Sequence, residues 1–164
     1  MRHAAKSAAV VAVALTLLLG GCGFHLQGRQ TLSPVLAAAY LDPVDAQSDF
    51  YLGLRGALRA SGSRIQEAAV AGAATIRIID DGTSERVLTV SARNVQTAYQ
   101  LIYKVTIAVS SGGRELIPPE EHTVSREYSF DAAALLAKER EKEVLSAALA
   151  DDLVTIVMRR LASL

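Results

Sequence analysis

The chain of 164 residues has one cysteine, no tryptophan and three histidines. One cysteine cannot form a disulfide within its own chain, and it cannot build a zinc or iron–sulfur site that needs several thiolates. The histidines, at positions 3, 25 and 122, are too far apart in sequence to suggest a metal-binding motif. The sequence therefore predicts no metal site and no cofactor.

An excess of charge of one sign is also missing. Seventeen Lys and Arg residues balance seventeen Asp and Glu residues, so the formal net charge is +0. A protein that binds nucleic acid presents a basic surface to the phosphate backbone, so nucleic acid is not an expected partner. The sequence also lacks a glycine-rich phosphate loop and a nucleophile elbow.

One short cluster, Glu120, Glu121 and His122, comes nearest to an acid/base site. It directly follows Pro119, at a turn or a strand edge, where solvated charges commonly protect an edge strand from pairing with another chain. We interpret the cluster in that way and predict that the protein is not an enzyme.

The longest apolar run lies near the N terminus and is too short to cross a bilayer. It covers residues 8–19, with Thr16 as its polar member, and follows the basic residues Arg2 and Lys6. Such a pattern is typical of a cleaved signal peptide rather than a membrane-spanning helix. We predict a signal peptide over residues 1–21.

The segment Leu19-Gly20-Gly21-Cys22 resembles the lipobox of bacterial lipoproteins, in which the cysteine is lipid-modified and becomes the mature N terminus. The resemblance implies acyl chains, palmitate among them, on Cys22, each buried methylene contributing about 0.8 kcal/mol of membrane affinity. An ordinary secretory cleavage site with a free thiol is the alternative. Because Gly23 is not the aspartate that retains lipoproteins in the inner membrane, the resemblance also implies sorting to the outer membrane.

The predicted mature chain, residues 22–164, forms a single domain. It has 143 of the 164 residues, and because Arg2 and Lys6 are removed, its 15 basic and 17 acidic groups give a formal charge of −2. A chain of this length can bury a core without disulfides or metals.

Local patterns predict the order strand, helix, several strands, helix. Residues 35–41 form a candidate strand that is closed by Asp42-Pro43, and the next helix is capped by Ser48 or Asp49 and stops at Ser61-Gly62. The segment 61–74 receives no assignment.

Residues 75–130 alternate with period two, which indicates strands. We expect a bulge or bend at 80–82, a hairpin turn at 110–113 and an interruption at Pro118-Pro119. Asp131 then caps a long helix whose apolar face includes Val144. The predicted fold is an α+β two-layer sandwich, with two helices on one face of a mostly antiparallel, about four-stranded mixed sheet.

Several short motifs resemble the LptE family of lipopolysaccharide-assembly lipoproteins. These are GCGFHL at 21–26, RN at 93–94, QTAYQ at 96–100, REYSFD at 126–131, LAKE at 136–139 and RRL at 159–161. Their order covers nearly all of the mature chain, although residues 61–74 match poorly.

The resemblance implies an outer-membrane lipoprotein that partners the LptD β-barrel one to one and lies within its lumen as a plug on the periplasmic side. It further implies assistance in barrel assembly and binding of lipopolysaccharide during delivery to the outer leaflet. The alternative is a generic lipid-anchored enzyme or cell-wall-associated domain without a barrel partner.

Two basic residues match family positions that are implicated in lipopolysaccharide contact, Arg93 and Lys138. An arginine can hold a phosphate with two hydrogen bonds, and a lysine supplies a compact charge. Each also has an ordinary interpretation, since Arg93 can be a solvated turn residue and Lys138 can pair with Glu141 on the same helix face. With the family resemblance, we predict both as lipopolysaccharide-binding residues.

Overall fold

In a computed structural model the described residues form one five-stranded mixed sheet with two α-helices on one face. The structure describes residues 32–90, 96–129 and 135–164. The strands are β1 Ala38–Asp42, β2 Arg64–Gln66, β3 Ala74–Val90, β4 Gln96–Ser111 and β5 Arg114–Ser129. The helices are α1 Asp49–Ala60 and α2 Leu135–Ala162. The predicted α+β two-layer class is confirmed, with one strand more than expected.

The strand order is β2-β1-β3-β4-β5, with β2 and β5 at the edges. β1 is parallel to both of its neighbours, β2 and β3, whereas β4 pairs antiparallel with β3 and β5. The N-terminal part therefore forms a β1–α1–β2 unit, and the C-terminal part forms a meander of three long strands that α2 covers.

The first strand begins later than predicted. Residues Pro34–Leu36 form a turn of 3-10 helix, because Pro34 fixes the backbone for a helical start, and β1 begins only at Ala38. The strand ends at Asp42, one residue after the predicted Leu41 and directly before Pro43.

Both ends of α1 follow the prediction. The Ser48 hydroxyl accepts a hydrogen bond from the Tyr51 N–H at 3.1 Å, which makes it the N-cap. At the other end Gly62 has a φ of 93°, and the N–H groups of Gly62 and Ser63 donate to the carbonyls of Arg59 and Leu58, each at 3.0 Å. This is a Schellman motif, and the positive φ explains the glycine.

The missed strand β2 follows directly from that motif. Ser63 donates a hydrogen bond to the Leu36 carbonyl at 2.6 Å, and the Arg64 N–H donates to the Ala37 carbonyl at 3.0 Å. The chain is thereby placed beside β1 for three residues, too few to produce a detectable alternation.

β3 contains the expected bulge, which lies at Ile79, directly before the predicted residues 80–82. The pairing with β4 shifts between Ile78 and Asp80, so Ile79 is the extra residue. As a consequence Asp81 lies on the helix-covered face and Asp80 on the opposite face. The predicted hairpin turn is also confirmed, since Gly112 and Gly113 have φ angles of 58° and 79° and join β4 to β5.

Two other expectations were wrong. Pro118 and Pro119 do not interrupt the last strand, because β5 is an edge strand and a register shift accommodates them. Val144 is not on the buried face of α2, because 69% of it is exposed. The core side of that helix is formed by Leu149, Ala150, Leu153, Val154, Val157, Met158 and Leu161.

Candidate functional site

The strand ends that flank the predicted residue Arg93 lie at one end of the sheet. At this end β3 stops at Val90 and β4 starts at Gln96, and the two residues pair; Ser129, the last residue of β5, pairs with Ala98. Arg93 falls between β3 and β4, and it lies outside the described residues. The predicted cap Asp131 and lipidation site Cys22 also lie outside them.

α2 starts at the same end and runs obliquely back across the sheet. Three ion pairs trace its path: Lys142 with Glu85 of β3, Asp152 with Arg126 of β5, and Arg160 with Glu120 of β5. Lys138 belongs to the first turns of this helix, and its side chain lies outside the described residues. The topology therefore assigns both predicted cationic positions to elements that meet at one end of the sheet.

The contact between Lys142 and Glu85 is the closest described ion pair to the start of α2. The Lys142 ammonium lies 2.8 Å from Glu85 Oε2, and the two side chains are 38% and 29% exposed. Sequence reasoning gave Lys142 no role, because its partner is 57 residues away in sequence and no local spacing signals such a pair. Glu141, the partner considered for Lys138, is exposed.

A second ion pair fixes α2 at the same level of the sheet, two strands away on β5. Arg126 donates to Asp152 Oδ2 at 2.9 Å, and about half of each side chain is exposed. Beneath the helix, Tyr99 and Tyr128 stack with ring centroids 5.7 Å apart. Tyr103 is buried and Tyr99 packs against the core partly buried, so these tyrosines belong to the core and its margin.

The other face of the sheet is polar, and neither described helix covers it. Arg86 donates to Gln100 at 2.7 Å, and Gln100 donates to Ser125 at 3.0 Å, which links three strands. Four residues further along β4, Lys104 lies 2.9 Å from Asp80 and 3.7 Å from Glu121.

The hydrogen bond and charge of Asp80, together with Glu121, raise the pKa of Lys104. The positive charge of this side chain is therefore retained between two carboxylates on the uncovered face.

The acidic cluster at 120–122 does not form one site. Glu120 is held by Arg160 at 2.9 Å and lies 3.5 Å from the His122 Nε2 atom, while Glu121 faces the opposite side of the sheet toward Lys104. The contact between His122 Nε2 and Glu120 is within ion-pair distance, but it does not have the geometry of a hydrogen bond. Because successive residues of a strand point to opposite faces, the two carboxylates cannot converge on one substrate atom.

The described part of the chain also lacks a metal-binding cluster and a membrane-spanning helix. No group of three or more His, Cys, Asp or Glu side chains there is arranged to hold a metal ion. Neither described helix has the length and apolar character needed to cross a membrane.

Comparison with known proteins identifies the family. The family model described as "LptE: Lipopolysaccharide-assembly" matches residues 36–161, which include every described strand. The chain belongs to the LptE family. The resemblance inferred from short motifs is thereby confirmed over most of the chain.

Curated relatives of the LptE family are similar over nearly the same length. A protein named LPS-assembly lipoprotein LptE from Yersinia enterocolitica is 27% identical over 146 residues, which cover 88% of this chain and 70% of the relative. Its namesake from Yersinia pestis is 28% identical over 155 residues, covering 90% of this chain and 74% of the relative.

Solved structures of lipoproteins share the fold. Rare lipoprotein B from Shewanella oneidensis is 25% identical, with a TM-score of 0.68 and coverage of 77% of this chain and 94% of that one. Lipoprotein B from Nitrosomonas europaea, at 23% identity, superposes with a TM-score of 0.71 over 86% of this chain and 91% of its own. The latter supports the LptE-like fold alone.

Proposed function

We propose that this protein is an outer-membrane lipoprotein of lipopolysaccharide assembly that binds the LptD β-barrel one to one. In this proposal it lies in the barrel lumen on the periplasmic side, assists assembly of the barrel and binds lipopolysaccharide during delivery to the outer leaflet. Acyl chains on Cys22 anchor it to the membrane, and it catalyses no reaction.

The family match over residues 36–161 carries this proposal. The curated relatives are named LPS-assembly lipoproteins, and the match extends through both helices and the whole sheet. The part of the chain that matches the family therefore includes the elements that a function shared by the family would use.

The uncovered face of the sheet supports placement inside a barrel. The lumen of an outer-membrane barrel is lined by polar residues, so a plug needs a polar surface without a large charge of one sign. Lys104 lies between Asp80 and Glu121, and Arg77 lies 3.6 Å from Asp42. Contact with the barrel wall costs less desolvation free energy for charges that are already paired within the domain than for unpaired charges.

The arrangement of the elements supports binding of lipopolysaccharide at one end of the sheet. Arg93 and Lys138 belong to a β3–β4 connection and a helix start that the topology brings to this end. Lipopolysaccharide carries phosphates and carboxylates, so a few placed cations suffice and an overall basic surface is unnecessary.

Co-purification with crosslinking tests the barrel partnership. The full chain should extract from membranes with a large β-barrel in equal amounts. Crosslinkers placed at Lys104 and Thr123 on the uncovered sheet face and at Glu139 and Asp151 on α2 should all reach the barrel wall. Extraction without a barrel would favour the alternative lipid-anchored domain, and crosslinks confined to one small patch would indicate a peripheral partner instead of a plug.

A further inference from the structure

Positive charge without a described carboxylate partner collects at one end of the sheet. Six exposed arginines of the described chain have no carboxylate within ion-pair distance: Arg59, Arg64, Arg86, Arg114, Arg140 and Arg159. Three of them, Arg59, Arg64 and Arg114, lie where β1 and β3 start, and we call this the basic end. Arg159 lies in the last turn of α2, which also runs toward this end.

The pairing register spreads these arginines across the whole end. Arg64 opens β2 and Arg114 opens β5, the two edge strands, and the residues that pair between them begin β1 and β3 and end β4. Four strand spacings of about 4.8 Å separate the two edges, so Arg64 and Arg114 lie roughly 19 Å apart. Arg59 lies in the last turn of α1 at the same end, because α1 stops at Ala60 and Arg64 begins β2 four residues later.

Carboxylates do not offset this charge. Glu67 lies 3.8 Å from Arg55, and Glu120 is held by Arg160 at 2.9 Å. Glu115 is the remaining described carboxylate side chain at the basic end, and it is exposed. Three arginines therefore stand against one carboxylate side chain, which leaves the basic end with a positive charge.

Ordinary structural roles do not account for the whole set. A cation in the last turn of a helix complements the helix dipole, which explains Arg59. Arg64 and Arg114 belong to strands, and a charge that protects an edge strand from pairing with another chain can have either sign. Arginines at both edges of the sheet, with a third on the helix layer, indicate a surface that meets negative charge.

The same end receives the chain from the proposed lipid anchor. Leu32, the first described residue, lines a hollow together with Ser61 and Gly62 of the turn that precedes β2. Leu32 follows Cys22 by ten positions, and a fully extended chain of that length spans at most about 35 Å. Because β3 alone is about 55 Å long, the anchor holds the basic end nearer to the membrane than the opposite end of the sheet.

We propose that the basic end docks on anionic phospholipid headgroups of the membrane leaflet that holds the anchor, an inference that rests on the proposed lipidation of Cys22. Arg64 and Arg114 are too far apart to bind one phosphate, so the arginines meet an extended surface that carries many. Each arginine near an anionic membrane surface adds an attraction that salt screens. Docking turns the β3–β4 connection away from the membrane surface, so a plug enters the barrel lumen with that connection leading and the basic end at the periplasmic mouth.

Fluorescence quenching on vesicles tests this docking with the full, processed protein. Because Cys22 is the one cysteine of the sequence and carries the acyl chains, Ala71→Cys in the exposed loop before β3, or Glu139→Cys on α2, supplies a unique free thiol for a fluorophore. On phosphatidylcholine vesicles with about 30% phosphatidylglycerol, nitroxide-labelled headgroups should quench the probe at residue 71 at least about twofold more than the probe at residue 139. Quenching at residue 71 should fall on phosphatidylcholine alone and at about 0.5 M salt.

Two double variants separate docking by the basic end from an effect of net charge. Arg64→Gln with Arg114→Gln should lower the ratio of docked to undocked protein at least about fivefold. Arg86→Gln with Arg140→Gln removes the same charge from exposed arginines that also lack a described carboxylate partner, and it should leave the quenching unchanged. Circular dichroism should be the same for wild type and both variants, which excludes a general loss of structure.

The outcomes separate this proposal from the anchor on which it rests. Equal quenching at residue 71 on anionic and neutral vesicles, or equal losses in the two double variants, would overturn docking by the basic end. Protein that washes off the vesicles at about 0.5 M salt would overturn the proposed lipid anchor instead, and the quenching measured at low salt would still decide the docking.

Discussion

Gly53 of α1 faces Val154 of α2 so closely that a Cβ atom on Gly53 would lie 3.1 Å from Val154 Cγ2. Three residues along α1, Gly56 is exposed, and a Cβ there would meet nothing within 4 Å. One glycine therefore permits the helices to approach, whereas the other only adds backbone freedom to the unfolded chain.

This pair predicts opposite effects for the same substitution. Gly56→Ala should raise the free energy of unfolding by about 0.5–1 kcal/mol, because alanine favours the helix. Gly53→Ala should lower it by about 1 kcal/mol, since crowding against Val154 outweighs that gain. Urea unfolding of the two variants measures both changes in the free energy of unfolding. Equal stabilisation by the two substitutions would show that the helices can separate without loss of stability.

A second prediction concerns the carboxylate of Asp81, which joins α1 to the sheet. Asp81 accepts hydrogen bonds from the N-cap hydroxyl of Ser48 and, at 2.8 Å, from the hydroxyl of Tyr103. Burial of Tyr103, reinforced by the hydrogen bond to Asp81 and its charge, raises the pKa of the phenol above its ordinary value of 10.0.

The raised pKa of Tyr103 makes stability fall at alkaline pH. The folded state holds the phenolic proton more tightly than the unfolded state, so this contribution is complete below about pH 10 and is lost as pH rises further. At neutral pH the Tyr103→Phe variant should have a free energy of unfolding about 1–2 kcal/mol lower than wild type, because it lacks the hydrogen bond. Above about pH 10 its free energy of unfolding should fall less steeply with pH than that of wild type. Parallel slopes for wild type and variant in urea unfolding between about pH 9 and pH 11 would contradict the assignment.

The anchor gives a third prediction, which rests on the sequence because Cys22 lies outside the described residues. The mature protein should begin at Cys22 and carry acyl chains. Mass spectrometry of protein extracted from outer membranes should find them, and Cys22→Ser should leave the protein unacylated. A free thiol at Cys22 on the wild-type chain, or retention of residues 1–21, would be incompatible with the lipoprotein hypothesis.

The fourth prediction addresses the two cationic residues directly. Reversing both charges, Arg93→Asp with Lys138→Asp, should weaken lipopolysaccharide binding at least about tenfold, since two charge-assisted contacts are replaced by repulsion. Folding and association with the barrel should be retained. The exposed arginines Arg59 and Arg114, away from this end of the sheet, provide a control when both are changed to Asp. Equal binding by wild type and the Arg93/Lys138 variant at two salt concentrations would remove these residues from the site.

The features that sequence predicted well are the local ones. The cap at Ser48, the stop at Gly62 and the turn at Gly112 depend on hydrogen bonds and φ angles within a few residues, so the residue types alone reveal them. The alternation in β4 was equally clear, because each second side chain enters the core.

The errors arose where a distant neighbour decides the outcome. β2 exists because the chain after α1 returns beside β1, and its three residues have no pattern of their own. Pro118 fits in a strand because no described strand pairs with the outer side of β5. Val144 is apolar, so its residue type predicts a core position, but it lies on the exposed side of the helix.

By itself, the sequence determined the residue types that start and stop the elements, the signal-peptide pattern before Cys22 and the motifs that indicate the LptE family. These depend on covalent chemistry and on short-range geometry, which the order of residues contains directly. Only the tertiary structure decided that Glu85 meets Lys142, that Asp81 faces the helices after the bulge at Ile79, and that the described helices leave one polar face of the sheet uncovered. Those relationships depend on strand register and helix crossing, which result from packing the whole chain at once.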